Sequence, residues 1–486
     1  MTRDETMRLS ELLQGGVPPE MDREVSGLAL DSRRLRPGDA FVAVAGRRDH
    51  GLRHLDEALA AGAVAVLVDE AVETVAAPVP VVQVRGLRWR LGELATRLYQ
   101  DPSEALQVVG VTGTNGKTSV AGFLAQALGA DGPVGHLGTL GEGLWGRLEP
   151  ARNTTPDVFT VHRRLAEARD AGARFAVMEV SSHALDQDRV AGVRFACAVF
   201  TNLSRDHLDY HRDMAAYGAA KARLFHDLAP RVAVINRDDA FGERLSGTVA
   251  APVWDYRFSD GPARVRGRIL RLDESGLSLE LAVDRQRAQV TTALLGRFQA
   301  HNLAAAAAVL LALGMPLDEA ARRLGGVSAP PGRMEPFRRP GRPLVVVDYA
   351  HTPDALSAAL AALRPHTRGR LWCVFGCGGE RDPGKRPLMG RCAEAGADRV
   401  IVTDDNPRGE DPGAIAAQIL AGMTRPEAVT VIHDRAEAIA HALSRAAPDD
   451  VVLLAGKGHE TTQQVGGQVL SHDDRAWARV LLEGEG

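Results

Sequence analysis

Short apolar runs, many of them β-branched, recur along the chain, and between them apolar residues return every three or four positions. These two periods predict strands alternating with amphipathic helices. Runs at 40–44, 64–68 and 79–84, with a helical stretch at 54–61, predict a small α/β region that ends before Gln100-Asp101-Pro102-Ser103. A run from Val108 and further buried-strand candidates at 175–180, 197–201 and 232–236 predict a mostly parallel sheet covered by helices on both faces. Residues 328–332 carry two prolines and a glycine, which break both helix and strand, and read as a linker. Runs at 344–348, 371–375, 399–403 and 451–455 then alternate with helices such as 354–363, predicting a second doubly wound sheet with its chemistry in the loops at the strand C-termini. The domains expected from this punctuation are 1–98, 99–329 and 330–486.

The run at Val108 opens into Gly113-Thr114-Asn115-Gly116-Lys117-Thr118-Ser119, followed by Val120, Phe123, Leu124, Ala127 and Leu128 at helical spacing. Strand, glycine-rich turn and helix in that order form a phosphate cradle: backbone N–H groups surround the phosphates, Lys117 neutralises charge and Thr118 ligates magnesium. The general pattern places a glycine at 111, where this chain has Val111, so the loop is a compact variant.

Composition narrows the classes. Of 486 residues, 58 are basic and 62 acidic, so no global basic field for nucleic acid exists. Cys197, Cys373, Cys377 and Cys392 lack the spacing of a disulfide framework or zinc site and read as reduced core or loop thiols. No apolar signal core and no membrane-length run is present. A cytoplasmic enzyme, without nucleic-acid binding or membrane insertion, is expected.

Polar clusters follow the strand candidates. Glu179-Val180-Ser181-Ser182-His183 ends one, with Glu179 where a strand-end carboxylate reaches magnesium. Thr201-Asn202-Leu203-Ser204-Arg205-Asp206-His207 ends the next, and His207 reads as a metal ligand, a carboxylate-orienting group or a satisfied loop histidine. Tyr217, Leu224 and Phe225 share an apolar helical face; on surface statistics alone, Lys221 beside them reads as a solvated lysine. Further on, Asp348-Tyr349-Ala350-His351, the loop 376–386, Asp405-Asn406-Pro407-Arg408 and Gly456-Lys457-Gly458-His459-Glu460 bring guanidinium, amide and carboxylate groups to one sheet edge. A guanidinium grips a carboxylate and Glu460 can hold an ammonium, so the set suits a zwitterionic amino acid.

These clusters, taken in order with Asn153-Thr154-Thr155 and His301-Asn302, resemble the Mur ligases over nearly the whole chain. The resemblance implies an α/β protein of three domains, a central P-loop parallel-sheet ATPase domain flanked by a small N-terminal α/β domain and a C-terminal Rossmann-like domain. It implies ATP as co-substrate, Mg2+ as cofactor, and UDP-N-acetylmuramoyl-L-alanyl-D-glutamate and meso-2,6-diaminopimelate as partners of a monomeric enzyme. By the same resemblance Leu30, Ser32, Arg47, Arg48 and Asp49 lie near the UDP moiety, and Asn153, Thr154, Thr155, Ser181, Gln187 and Arg189 hold the muramoyl dipeptide. Gly113 to Ser119, Asn302, Arg333 and Asp348 match ATP-site positions; Thr118, Glu179, His207 and Lys221 as a carbamate match the metal site. Lys117, His207 and Lys221 are the expected catalytic residues, and Arg381, Asp405, Asn406, Pro407, Arg408, Gly456 and Glu460 match the diaminopimelate pocket. Arg408 favours diaminopimelate over lysine or ornithine, because only the former brings a second carboxylate. A folylpolyglutamate synthase should lack the N-terminal region and the Asp405–Arg408 loop. A nucleotide-binding regulator needs no Lys221 carbamate.

Overall fold

The computed structural model describes residues 6–46, 49–72 and 75–483. Two compact units divide the chain, Met1–Asp255 and Tyr256–Gly486.

In the first unit, strands Gly27–Ala29, Asp39–Ala43, Ala65–Asp69 and Val81–Val84 form a four-stranded parallel sheet. Phe41, Val66 and Val68 bury one face, while Ala40, Val42, Leu67 and Val84 bury the other with helix Leu87–Leu98. The second sheet of this unit places Gln107–Thr112 between Phe175–Glu179 and Phe195–Phe200, all parallel. Val134–Gly138 and Val232–Asn236 extend it outward in parallel, and the hairpin Gly141–Leu144 with Arg147–Glu149 adds antiparallel edge strands. Helices Lys117–Leu128, Val158–Asp170 and Met214–His226 belong to this unit. Strands buried on both faces need near-continuous apolar sequence, and Phe195–Phe200 is buried at every position. Because the strands on either side of Gln107–Thr112 both run parallel to it, their C-terminal polar clusters open beside its glycine loop.

The second unit contains an antiparallel set that the helix–strand alternation did not predict: Val265–Asp273, Gly276–Val283 and Gln286–Thr292. Its signal was nonetheless present, since Leu277, Leu279, Leu281 and Val283 alternate at period two and are buried. Helices Phe298–Ala312 and Leu317–Gly325 follow. A further sheet has the order Glu335–Phe337, Leu344–Asp348, Val451–Ala455, Leu371–Phe375, Arg399–Val402, Thr430–Val431. All neighbours pair in parallel except the first. Its two faces are buried against separate helix layers, one led by Leu356, Leu360 and Ile419 and the other by Ile439, Leu443 and Ala478. Cys197, Cys373 and Cys377 are buried free thiols and Cys392 is a half-buried one. Among the described residues no helix is long and apolar enough to cross a membrane.

Candidate functional site

In the first unit the loop after Gln107–Thr112 is tightly determined. Gly113 has φ +147° and Gly116 φ +87°, and a Cβ on Gly113 would stand 1.9 Å from Thr201 Oγ1. Only glycine meets both demands. The neighbouring strand end clasps the loop: Thr114 N donates to Asn202 O at 2.8 Å, Asn115 N to Asn202 Oδ1 at 3.0 Å, and Thr201 Oγ1 to Asn115 O at 2.6 Å. Lys117 opens the following helix and its Nζ folds back on Gly113 O at 2.8 Å and Thr114 O at 2.9 Å. Thr118 and Ser119 follow in the first turn, both buried.

Glu179 is fully buried at the end of the other neighbouring strand. Its carboxylate accepts from Thr118 Oγ1 at 2.9 Å and Thr139 N at 2.7 Å, with no cationic side chain in ion-pair range among the described residues. Lys221 is only 1% exposed, so the reading as a solvated helix lysine is wrong. It faces inward because Tyr217, Leu224 and Phe225 turn this face of helix Met214–His226 into the core. Its Nζ donates to Gly113 O at 2.9 Å and lies 4.3 Å from the Tyr217 ring centroid. Burial, and then the charge of Lys117, hold its pKa well below the ordinary lysine range. A buried carboxylate without a countercharge fits a hard divalent cation, and a buried amine of lowered proton affinity fits carbamate formation. His207 takes φ +53° and is half exposed, packing edge-on to His183 at 5.0 Å between ring centroids. Burial, with His207 and His211 nearby, pushes the His183 pKa down to about 4. Among the described residues no three His, Cys, Asp or Glu side chains are arranged as a metal cluster, so Thr118 and a modified Lys221 are needed to complete the expected set.

The residues expected to hold the dipeptide meet next to Glu179. Thr139 Oγ1 and Thr154 Oγ1 are 3.2 Å apart; Thr155 Oγ1 donates to Glu179 O at 2.8 Å and accepts from Ser181 N at 3.0 Å. Arg189 donates to Thr155 O at 2.8 Å and to Gln187 Oε1 at 2.7 Å. Asn153 is exposed beside them. Leu30 is half-buried, while Ser32 is buried and donates to Glu57 Oε2 at 2.8 Å. Asp49 O accepts from Gly46 N at 2.8 Å, and Arg47 and Arg48 lie outside the described residues.

Asn302, Arg333 and Asp348 belong to the second unit. Asn302 is buried on helix Phe298–Ala312 and donates to Gln299 Oε1 at 2.9 Å. The Arg333 guanidinium lies 4.9 Å from the Tyr349 ring centroid. Asp348 accepts from Met334 N at 2.8 Å and Ala350 N at 2.9 Å, and burial raises its pKa although Arg333 opposes the shift.

At the C-terminal end of the second-unit sheet the predicted amino-acid residues come together. Gly456 N donates to Asp348 O at 3.1 Å, and Asn406 Nδ2 donates to Glu460 Oε2 at 3.1 Å. Arg408 has φ +53° and donates to Gly379 O at 2.7 Å. A Cβ on Gly378 would stand 3.0 Å from Arg408 Nη1 and 3.7 Å from Arg381 Cγ, so both arginines overlie that glycine. Pro407 is buried and its carbonyl lies where a side chain on Gly379 would fall. Asp405 is buried, with Oδ1 lacking a hydrogen bond among the described residues.

Three contributors escaped the sequence reading. Thr139 reaches Glu179 from a strand end with no polar cluster to mark it, and Tyr349 read as part of a motif without a role of its own. Lys457 is fully buried among Asp405, Asn406 and Glu460. A lysine between two glycines at a strand end was its available signal.

Family models match at three places: the Mur ligase family catalytic domain over residues 24–99, the Mur ligase middle domain over 111–310, and the Mur ligase glutamate ligase domain over 332–458. A UDP-N-acetylmuramoyl-L-alanyl-D-glutamate–2,6-diaminopimelate ligase of Alkalilimnicola ehrlichii is 52% identical, covering 99% of this chain and 100% of that protein. One from Xanthomonas campestris pv. campestris is 52% identical over 98% and 97%. A solved structure of a ligase of that same name aligns with TM-score 0.72 and 35% identity, covering 99% of each chain.

Proposed function

The chain belongs to the Mur ligase family, and from that premise we infer that it is the ATP-dependent ligase that joins meso-2,6-diaminopimelate to UDP-N-acetylmuramoyl-L-alanyl-D-glutamate in peptidoglycan biosynthesis. The observation that carries the choice of amino acid is Arg408, which sits beside Asn406 and Gly379 and has no acidic partner among the described residues. A carboxylate on the incoming side chain completes that guanidinium, and lysine or ornithine leaves it unpaired.

The reaction read from these residues begins with attack of the D-glutamyl γ-carboxylate on the γ-phosphorus of ATP, giving an acyl phosphate and ADP. The amine of diaminopimelate then attacks the acyl carbon, the amide forms, and phosphate leaves with the amine proton passing to solvent or a base. With Thr114 N and Asn115 N taken by Asn202, the phosphates are held by the first-turn backbone N–H groups of helix Lys117–Leu128, and Lys117 offsets charge developing on the transferred phosphoryl oxygens. Thr118, Glu179, His207 and carbamylated Lys221 are the residues that would hold Mg2+, which supplies charge neutralisation at the phosphates. Thr154, Thr155, Ser181, Gln187 and Arg189 orient the dipeptide carboxylates. Arg333 and Asp348 bind the nucleotide, with Asn302. In this assignment residues 1–98 take the UDP moiety, 99–329 ATP and 330–486 the amino acid, in a cytoplasmic monomer that meets its nucleotide substrates there.

The test is product mass after incubation with ATP, Mg2+ and the UDP-muramoyl dipeptide, offering meso-diaminopimelate, L-lysine and L-ornithine separately. The expected result is a tripeptide product with diaminopimelate alone. Product mainly with lysine or ornithine would retain the ligase and overturn the pocket; no product with any would favour a nucleotide-binding regulator.

A further inference from the structure

The amino-acid pocket already contains an ammonium of its own. Lys457 is 0% exposed, and its Nζ donates to Asn406 Oδ1 and to Glu460 Oε2 at 3.2 Å each, with Asp405 Oδ1 3.6 Å away. Enclosing a lysine charge is costly unless it is paired, and this one meets two carboxylates. The three side chains together leave one negative charge. Arg408 adds one positive charge nearby, with its guanidinium on backbone carbonyls.

The ammonium also sets orientation. Asn406 Oδ1 accepts from Lys457 Nζ and from Gln464 N at 3.0 Å, so its Nδ2 is the atom turned toward Glu460 Oε2. Glu460 Oε2 thus receives two donors, while Oε1 is reached by Tyr349 Oη at 3.4 Å. That leaves Glu460 Oε1 and Asp405 Oδ1 as acceptors with remaining capacity.

We propose that Lys457 is a positioning residue for the amino-acid substrate: it cancels one of the two carboxylates beside it and fixes Asn406 and Glu460, so one uncompensated carboxylate remains, with Arg381 and Arg408 supplying positive charge, to meet a zwitterionic amino-acid end. The inference rests on the ligase reading above and adds the residue that sets its charge count. Without Lys457 both carboxylates are uncompensated by a lysine, and the balance of the pocket shifts by one negative charge. A substrate end bearing an ammonium alone then meets a more favourable field, and one bearing a carboxylate a worse one.

Lys457→Met keeps the alkyl chain and removes the charge. Its KM for meso-diaminopimelate should rise about tenfold or more, and its preference for diaminopimelate over L-lysine in kcat/KM should fall by about the same factor. KM values for ATP and the UDP-muramoyl dipeptide should stay within about twofold. Propylammonium added to Lys457→Ala should restore part of the diaminopimelate affinity, which a purely structural lysine would not show. Equal loss of kcat with both amino acids at unchanged KM overturns the proposal. Should Lys457→Met not fold, Lys457→Met/Glu460→Gln restores the net charge of the native cluster; it should fold yet discriminate poorly because Asn406 then keeps only its Gln464 N donor, and native discrimination in it overturns the proposal. If the unmodified enzyme makes no product with diaminopimelate, the ligase reading fails and this inference with it, whereas native product with an unaltered variant removes Lys457 alone.

Discussion

Lys117 and Lys221 share one acceptor: both amino groups donate to the carbonyl oxygen of Gly113, at 2.8 and 2.9 Å. Two lysines cannot both be charged there cheaply, and burial together with the charge of Lys117 lowers the proton affinity of Lys221. The glycine loop therefore also favours the uncharged form of that amine, the form able to add carbon dioxide.

Lys221→Ala should lower turnover by about a hundredfold or more while nucleotide affinity changes little. Isothermal titration with ADP beside steady-state kinetics separates the two, and a short carboxylic acid in the buffer should restore part of the rate by replacing the carbamate oxygens. Unchanged turnover would sink the carbamate proposal.

Gly113→Ala forces a Cβ to within 1.9 Å of Thr201 Oγ1 on a backbone at φ +147°. The cost should be about 1–3 kcal/mol of stability, with ATP affinity lost as the loop opens. Urea unfolding and ADP titration read both, and a variant that binds ADP normally would show that the close approach of Gly113 to Thr201 is dispensable.

Arg408→Gln should reduce kcat/KM for meso-diaminopimelate about a hundredfold or more and leave the KM for ATP unaltered. The same substitution should change use of L-lysine little, since lysine has no second carboxylate to lose. Competition of the two amino acids in one reaction, read by product mass, checks the ratio.

His136 is fully buried, with both ring nitrogens unpartnered, and burial lowers its pKa from the ordinary 6.5 to about 4. Above pH 6.5 the ring is neutral in both folded and unfolded chains and stability is unaffected. As pH falls from 6.5 to 4 the unfolded chain takes up a proton that the folded one refuses, so stability drops through that window, by about 3 kcal/mol at its end. His136→Leu should flatten this acid limb in urea midpoints measured between pH 4 and 7; an identical slope in the variant would assign the limb to other groups.

The alternation of apolar runs and helical periods, read with the glycine turn at 113–118, was sufficient to determine an α/β chain with a strand–glycine turn–helix unit, because strand burial and glycine backbone freedom are local properties. The polar clusters at 179–183, 201–207, 405–408 and 456–460 were legible as strand ends, since loops at strand C-termini carry chemistry in parallel sheets. The antiparallel strands at 265–292 do not stand out among apolar runs, because their polar-alternating pattern is that of a half-exposed sheet rather than of strands buried on both faces. What only the tertiary structure decided is which charges are enclosed. Composition cannot distinguish Lys221 or Lys457 from a surface lysine; each is enclosed only where neighbouring strands bring Gly113, or Asp405 and Glu460, against it and exclude water.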